Sequence, residues 1–79
     1  MALQVTVINP DEVLFEGEVE YILAPTPKGT VGILPNHTPM FAELRPGEVI
    51  LHGTEEKKYT IDAGLLKVRA DEVTILIGL

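Results

Sequence analysis

With 79 residues, 6 basic and 12 acidic side chains and a net charge of −6, the chain is long enough for one small core and too short for a multidomain enzyme. Its 46% hydrophobic content excludes a disordered acidic tail, and a negative surface repels nucleic-acid backbones and anionic lipid headgroups. Without cysteine there is neither a disulfide framework nor a thiolate zinc site, so stability must come from packing, and an intracellular setting is permitted.

The first residues, Met-Ala-Leu-Gln-Val-Thr-Val-Ile, carry no positive charge and no apolar segment of signal-peptide length. No run approaches the roughly 20 apolar residues of a membrane span, so the expectation is a soluble chain that meets a membrane only through a partner. Leu3, Val5 and Val7 alternate with Gln4 and Thr6, which predicts a strand. Asp11, Glu12, Glu16, Glu18 and Glu20 all precede the first basic residue, Lys28; they form either a solvated acidic face or a surface for a basic partner. Val19, Tyr21 and Leu23 alternate with Glu18 and Glu20 and predict a second strand.

The same alternation predicts strands over residues 48–52, through Val49 and Leu51, and over residues 57–61, through Tyr59 and Ile61. Residues 65–77 lack Gly and Pro, yet their β-branched content predicts two strands about an Ala70-Asp71-Glu72 turn rather than a helix. Residues 31–34 and 73–77 are apolar on both faces, as required for burial between two layers or beneath another chain. Turn-forming clusters such as Asn9-Pro10-Asp11, Arg45-Pro46-Gly47 and Gly53-Thr54-Glu55 recur every eight to twelve residues. The whole pattern predicts one all-β domain over residues 1–79, an antiparallel β-sandwich.

The side-chain inventory argues against catalysis. The chain has no Ser or Cys, and none of its seven threonines is N-terminal, which removes the usual activated nucleophiles. His37 and His52 lie fifteen residues apart, a spacing that matches no zinc motif, and each reads as a surface or loop histidine. Glu18 and Glu20 would share one strand face, as an acid–base pair does, but nothing apolar beside them would raise a carboxyl pKa. Gly29-Thr30-Val31-Gly32 lacks the Gly-Lys-Ser/Thr step and the helix that a phosphate loop needs. Positive φ or close backbone packing explains the glycines, while Pro35 and Pro39 stiffen the loop that follows. A loop that is rigid before binding loses little freedom on docking, which makes residues 29–39 a contact surface.

The segment Gly29-Thr30-Val31-Gly32-Ile33-Leu34-Pro35-Asn36-His37-Thr38-Pro39-Met40 resembles the Gly-x-x-Gly-Ile-Leu-Pro-x-His-x-Pro-Leu stretch of the F-type ATP synthase epsilon subunit. Phe15-Glu16-Gly17, Leu44-Arg45-Pro46-Gly47, Ala63-Gly64-Leu65-Leu66-Lys67-Val68 and Val73-Thr74-Ile75-Leu76 extend it in family order, so it covers essentially the whole chain. The resemblance implies a sandwich of about ten short strands and a non-catalytic role, with no cofactor and no metal. In that family the sandwich is a clamp of the central stalk that joins the gamma subunit to the c ring and couples ion flow to ATP synthesis. It implies a peripheral position on the cytoplasmic face of a bacterial membrane, driven by protons or sodium ions.

Carried over by position, the resemblance places Thr30, Val31 and His37 at the c ring and Asn9 and Ala42 against gamma. The position of Thr30 is often acidic in the family, and threonine hydrogen-bonds there without forming an ion pair. Where the family commonly has Gly-Gly this chain has Ala63-Gly64, which requires negative φ at residue 63. The family's helical hairpin has no counterpart before Leu79, so no inhibitory or ATP-sensing role is expected of these residues. That leaves a naturally short subunit or a shortened piece of a longer one. Set aside the resemblance, and the residues alone describe an acidic β-sandwich that serves as a generic interaction module. A small acid–base enzyme using Glu18, Glu20 or His37 is a third reading.

Overall fold

The computed structural model describes residues 2–78. Nine strands follow one another in the chain: β1 (Leu3–Ile8), β2 (Val13–Val19), β3 (Tyr21–Thr26), β4 (Gly29–Ile33), β5 (Met40–Leu44), β6 (Gly47–His52), β7 (Glu56–Ile61), β8 (Gly64–Arg69) and β9 (Glu72–Ile77). They form a five-stranded sheet in the order β2-β1-β9-β8-β5 and a four-stranded sheet in the order β4-β3-β6-β7. The all-β sandwich expected from the alternation is therefore present, with nine strands among the described residues where the family resemblance implied about ten. One pairing departs from a purely antiparallel arrangement, because β1 and β9 run parallel, Val5 opposite Val73 and Val7 opposite Ile75. A parallel pair needs a long connection, and here the rest of the chain supplies it.

Period-two alternation aims one face of each sheet inward. Leu3, Val5 and Val7 of β1 and Ile75 of β9 meet Ile22 of β3 and Leu51 of β6, and all six are fully buried. Burying a side chain of this size contributes about 1.5–3 kcal/mol relative to leaving it in water. The core is wholly aliphatic; Phe15 and Tyr59 only pack against its margin.

The phase of the expected strand over residues 18–23 needs correction. Val19 is buried, but the next inward residues are Ile22 and Ala24, leaving Tyr21 and Leu23 half-buried on the outer face. The chain bends at Glu20, where it leaves one sheet for the other, and the bend shifts the inward positions from odd to even. Two strands escaped the sequence pattern. In β2 the pairing register slips where Ile8 meets Val13, and Val13 is 58% exposed, so the alternation is broken at its start. In β5 the inward Met40, Ala42 and Leu44 alternate with an outward Phe41, whose apolar character hides the pattern.

The hairpin expected over residues 65–77 is β8–β9, turning at Ala70 and Asp71, with Ala70 in the left-handed region at φ 54°. Residue 63 is not among the positive-φ residues, so its methyl is accommodated as anticipated. Gly64 is constrained by space instead, since a Cβ there would lie 2.6 Å from the Leu76 carbonyl oxygen.

Gly64→Ala is expected to cost about 2 kcal/mol through overpacking against backbone, lowering the thermal midpoint by roughly 10 °C in a calorimetric scan. Desolvation by burial raises the Tyr59 phenol above its usual range. An acid whose folded pKa is raised stabilises the fold fully below its unfolded value, about 10, and loses that contribution as pH climbs through the folded value. Tyr59→Phe is therefore expected to lessen the fall in urea stability above pH 10 relative to wild type.

Candidate functional site

Strand β4 edges the four-stranded sheet and β5 edges the five-stranded sheet, and residues 34–39 carry the chain from one edge to the other. The hairpin that sends β3 into β4 turns at Pro27 and Lys28, where the Thr26 hydroxyl donates to the Gly29 carbonyl at 2.7 Å and accepts from the Lys28 amide at 3.3 Å. Gly29 then adopts φ 110°, a conformation closed to most other residues.

Between the edges lies a cavity of about 390 Å³ lined by Thr26, Pro27, Lys28 and Val31 on one side and Met40, Phe41, Ala42 and Glu43 on the other. An open groove of about 680 Å³ continues on the far side of Phe41, between Pro39, Met40 and the Lys67, Val68 and Arg69 segment of β8. Phe41 lines both and is 71% exposed, because it points outward opposite Lys67 while Leu44 on the same strand points into the core. An aromatic ring held in water beside two apolar grooves is the chief surface feature of this edge.

The residues expected at contacts fall in three places. Thr30 and Val31 lie on β4, opposite Pro25 and Ala24. Val31 and Ala42, expected to face different partners, line the same cavity. Ala42 shares the inward phase of Leu44 and is half-buried, so its neighbour Phe41 presents the larger free surface. Sequence reasoning missed Phe41; its one available signal was an aromatic residue breaking an otherwise inward Met40, Ala42, Leu44 series. His37 sits half-buried in the connecting loop, its Nδ1 2.7 Å from the Thr38 carbonyl oxygen.

Asn9 follows β1, where its Oδ1 accepts from the amides of Asp11 at 2.8 Å and Glu12 at 2.7 Å, shaping the turn into β2. It borders a separate cavity with Leu14, Ala63 and Gly78, beside the C-terminal end of β9. The His37 loop is hydrogen-bonded to the opposite end of that strand, at Asp71. Asn9 and His37 thus occupy opposite ends of the five-stranded sheet.

The groups considered for chemistry are dispersed. Glu18 belongs to β2 and Glu20 to the bend after it, so the two do not share a strand, and both are exposed. His52 ends β6, in the strand expected over residues 48–52, and is stacked on Tyr21 with ring centroids 4.6 Å apart. Carboxylate oxygens of Glu20 and Glu56 stand 4.0 and 3.9 Å from its two ring nitrogens. Among the described residues no three His, Asp or Glu side chains are grouped closely enough to hold a metal ion.

Residues 2–78 match the family described as the ATP synthase delta/epsilon chain beta-sandwich domain. The chain belongs to this family. It is 43% identical over 76 residues to the ATP synthase epsilon chain of Dichelobacter nodosus, covering 92% of this chain and 52% of that protein. The Acidithiobacillus ferridurans epsilon chain is 36% identical over 77 residues, covering 96% of this chain and 55% of that one. This member of the family thus spans about half the length of the curated relatives it matches. The fold also superimposes on a chain of the Euglena gracilis mitochondrial ATP synthase structure with a TM-score of 0.89 at 24% identity, over 96% of this chain and 50% of that one. A chain in the central stalk and c-ring structure of the Tetrahymena thermophila mitochondrial enzyme gives 0.83 at 19% identity, over 95% and 62%.

Because Phe41 is 71% exposed, Phe41→Ser is expected to change stability by no more than about 0.5 kcal/mol in chemical denaturation. A larger loss would mean that the ring packs on the protein itself.

Proposed function

We propose that this β-sandwich is a non-catalytic rotor element of an ion-driven F-type ATP synthase, joining the gamma subunit to the c ring at the membrane's cytoplasmic face. The family match across residues 2–78 carries this reading. The coupling ion is a proton or sodium ion, and membrane attachment comes through the complex; no helix among the described residues is long and apolar enough to cross a membrane.

The geometry suits transmission of torque better than chemistry. Torque requires a rigid scaffold and a broad interface. Two sheets locked by an aliphatic core supply the first, and the β4–β5 edge with its exposed Phe41 supplies part of the second. On this reading Ala42 and Phe41 meet gamma, together with Asn9 at the other end of the sheet, while Thr30, Val31 and His37 meet the polar loops of the c ring. Val31 and Ala42 line one cavity, so the two partners would approach each other there.

Mixing the chain with its cognate gamma subunit and measuring mass by size-exclusion chromatography with light scattering is expected to give a stoichiometric complex. Phe41→Ser should weaken that complex about tenfold or more, as loss of a buried aromatic anchor does. Absence of a wild-type complex at micromolar concentration would overturn docking by the sandwich alone. His37→Ala is expected to weaken attachment to isolated c rings with the fold intact; attachment equal to wild type would remove His37 from that contact.

A further inference from the structure

Pro35 and Pro39 stiffen the loop over residues 34–39 locally, but among the described residues few hydrogen bonds within it fix where it sits. Pro35 and Pro39 have no amide hydrogen to donate, and Leu34 at its start is 60% exposed. Among the described residues, the His37 ring bonds to its neighbour Thr38 alone. Asn36 sits in the left-handed region at φ 64°, which asparagine tolerates better than most residues but which still calls for support from its surroundings.

That support comes from 35 residues away. The Asn36 amide donates to Asp71 Oδ1 at 2.7 Å, and among the described residues this is the hydrogen bond that ties the loop to the body of the sandwich. Asp71 is itself well anchored. It lies in the β8–β9 turn, and its backbone carbonyl accepts from the Gln4 amide at 2.7 Å at the start of β1. One residue thereby joins the central strands of the five-stranded sheet to a loop that crosses between the sheets. An ionised carboxylate accepting from a backbone amide forms one of the stronger hydrogen bonds available in water.

We infer that Asp71 is a positioning residue for docking: its carboxylate fixes Asn36, and so presents His37 and the 34–39 loop to the c ring in one preorganised shape. The inference rests on the proposed docking role of this loop, and it locates the determinant outside the loop's own sequence. A turn residue needed only to reverse the chain would require no side-chain acceptor, whereas this one holds a distant amide. Preordering spares the loop the entropy of being fixed at the moment of binding.

The test compares Asp71→Ala, which removes the acceptor, with Asp71→Asn, which keeps a side-chain oxygen at the same place. Amide exchange at Asn36 and His37 is read by NMR, and affinity for the cognate gamma subunit and isolated c rings is measured alongside. Asp71→Ala is expected to raise exchange at Asn36 about tenfold or more and to weaken docking to isolated c rings by a similar factor, with Asp71→Asn recovering most of both. Core amides such as those of Val5 and Ile75 should exchange as in wild type. Unchanged exchange at Asn36 in Asp71→Ala would overturn the tether. Faster exchange with undiminished docking would overturn its role in positioning. Failure of wild type itself to bind isolated c rings would remove the docking role of the loop and of Asp71 together, while the exchange data would still decide whether the tether exists.

Discussion

The structure depends on the packing of two aliphatic sheet faces against each other. Side chains on a strand alternate by two, so one inward position fixes every other on that strand, and one residue of slip would turn a buried set out to solvent. Leu3, Val5 and Val7 leave no freedom in the register of β1, and Val73, Ile75 and Ile77 leave none in β9. With cysteine absent, this packing carries the stability of the domain. The close approach of Gly64 to the Leu76 carbonyl shows how little slack remains between paired strands.

A scaffold pinned in this way decides what its margins expose. The inward anchoring of Leu44 forces Phe41 outward, and the sheet order makes β4 and β5 edges, so an aromatic ring and two grooves are placed where a partner can reach them. The same rigidity extends to the loop between those edges through Asp71. The proposed rotor role would require force to pass without yielding, and a surface built on core-anchored strands and a tethered loop has few soft degrees of freedom.

Much of this was legible in the amino-acid order. The strands containing Val5, Val49 and Ile61 follow from simple alternation, and the β8–β9 hairpin, with Ile75, follows from β-branched residues flanking Ala70 and Asp71. The failures have particular causes. At Glu20 a bend between sheets reverses the phase, so Tyr21 and Leu23 read as core although Ile22 and Ala24 fill it. At Phe41 an exposed aromatic residue imitates a buried one. Alternation places His52 at the end of its strand, but its stacking on Tyr21 depends on the β3–β6 register, which no local pattern contains. The motif over residues 29–40 pointed to the family, yet could not show that Val31 and Ala42 share a cavity or that Asn9 lies at the far end of the sheet from His37.

By itself, then, the sequence determined the all-β class, the aliphatic core and the family, because alternation, turn residues and spaced motifs are local properties that survive reading in one dimension. Only the tertiary structure decided the parallel β1–β9 pairing, the change of phase at Glu20, the outward turn of Phe41 and the Asn36–Asp71 bond. Each of these joins residues distant in sequence or depends on which sheet a strand enters. Such relations are set by the free energy of burying the whole set of faces together, and no single segment encodes them.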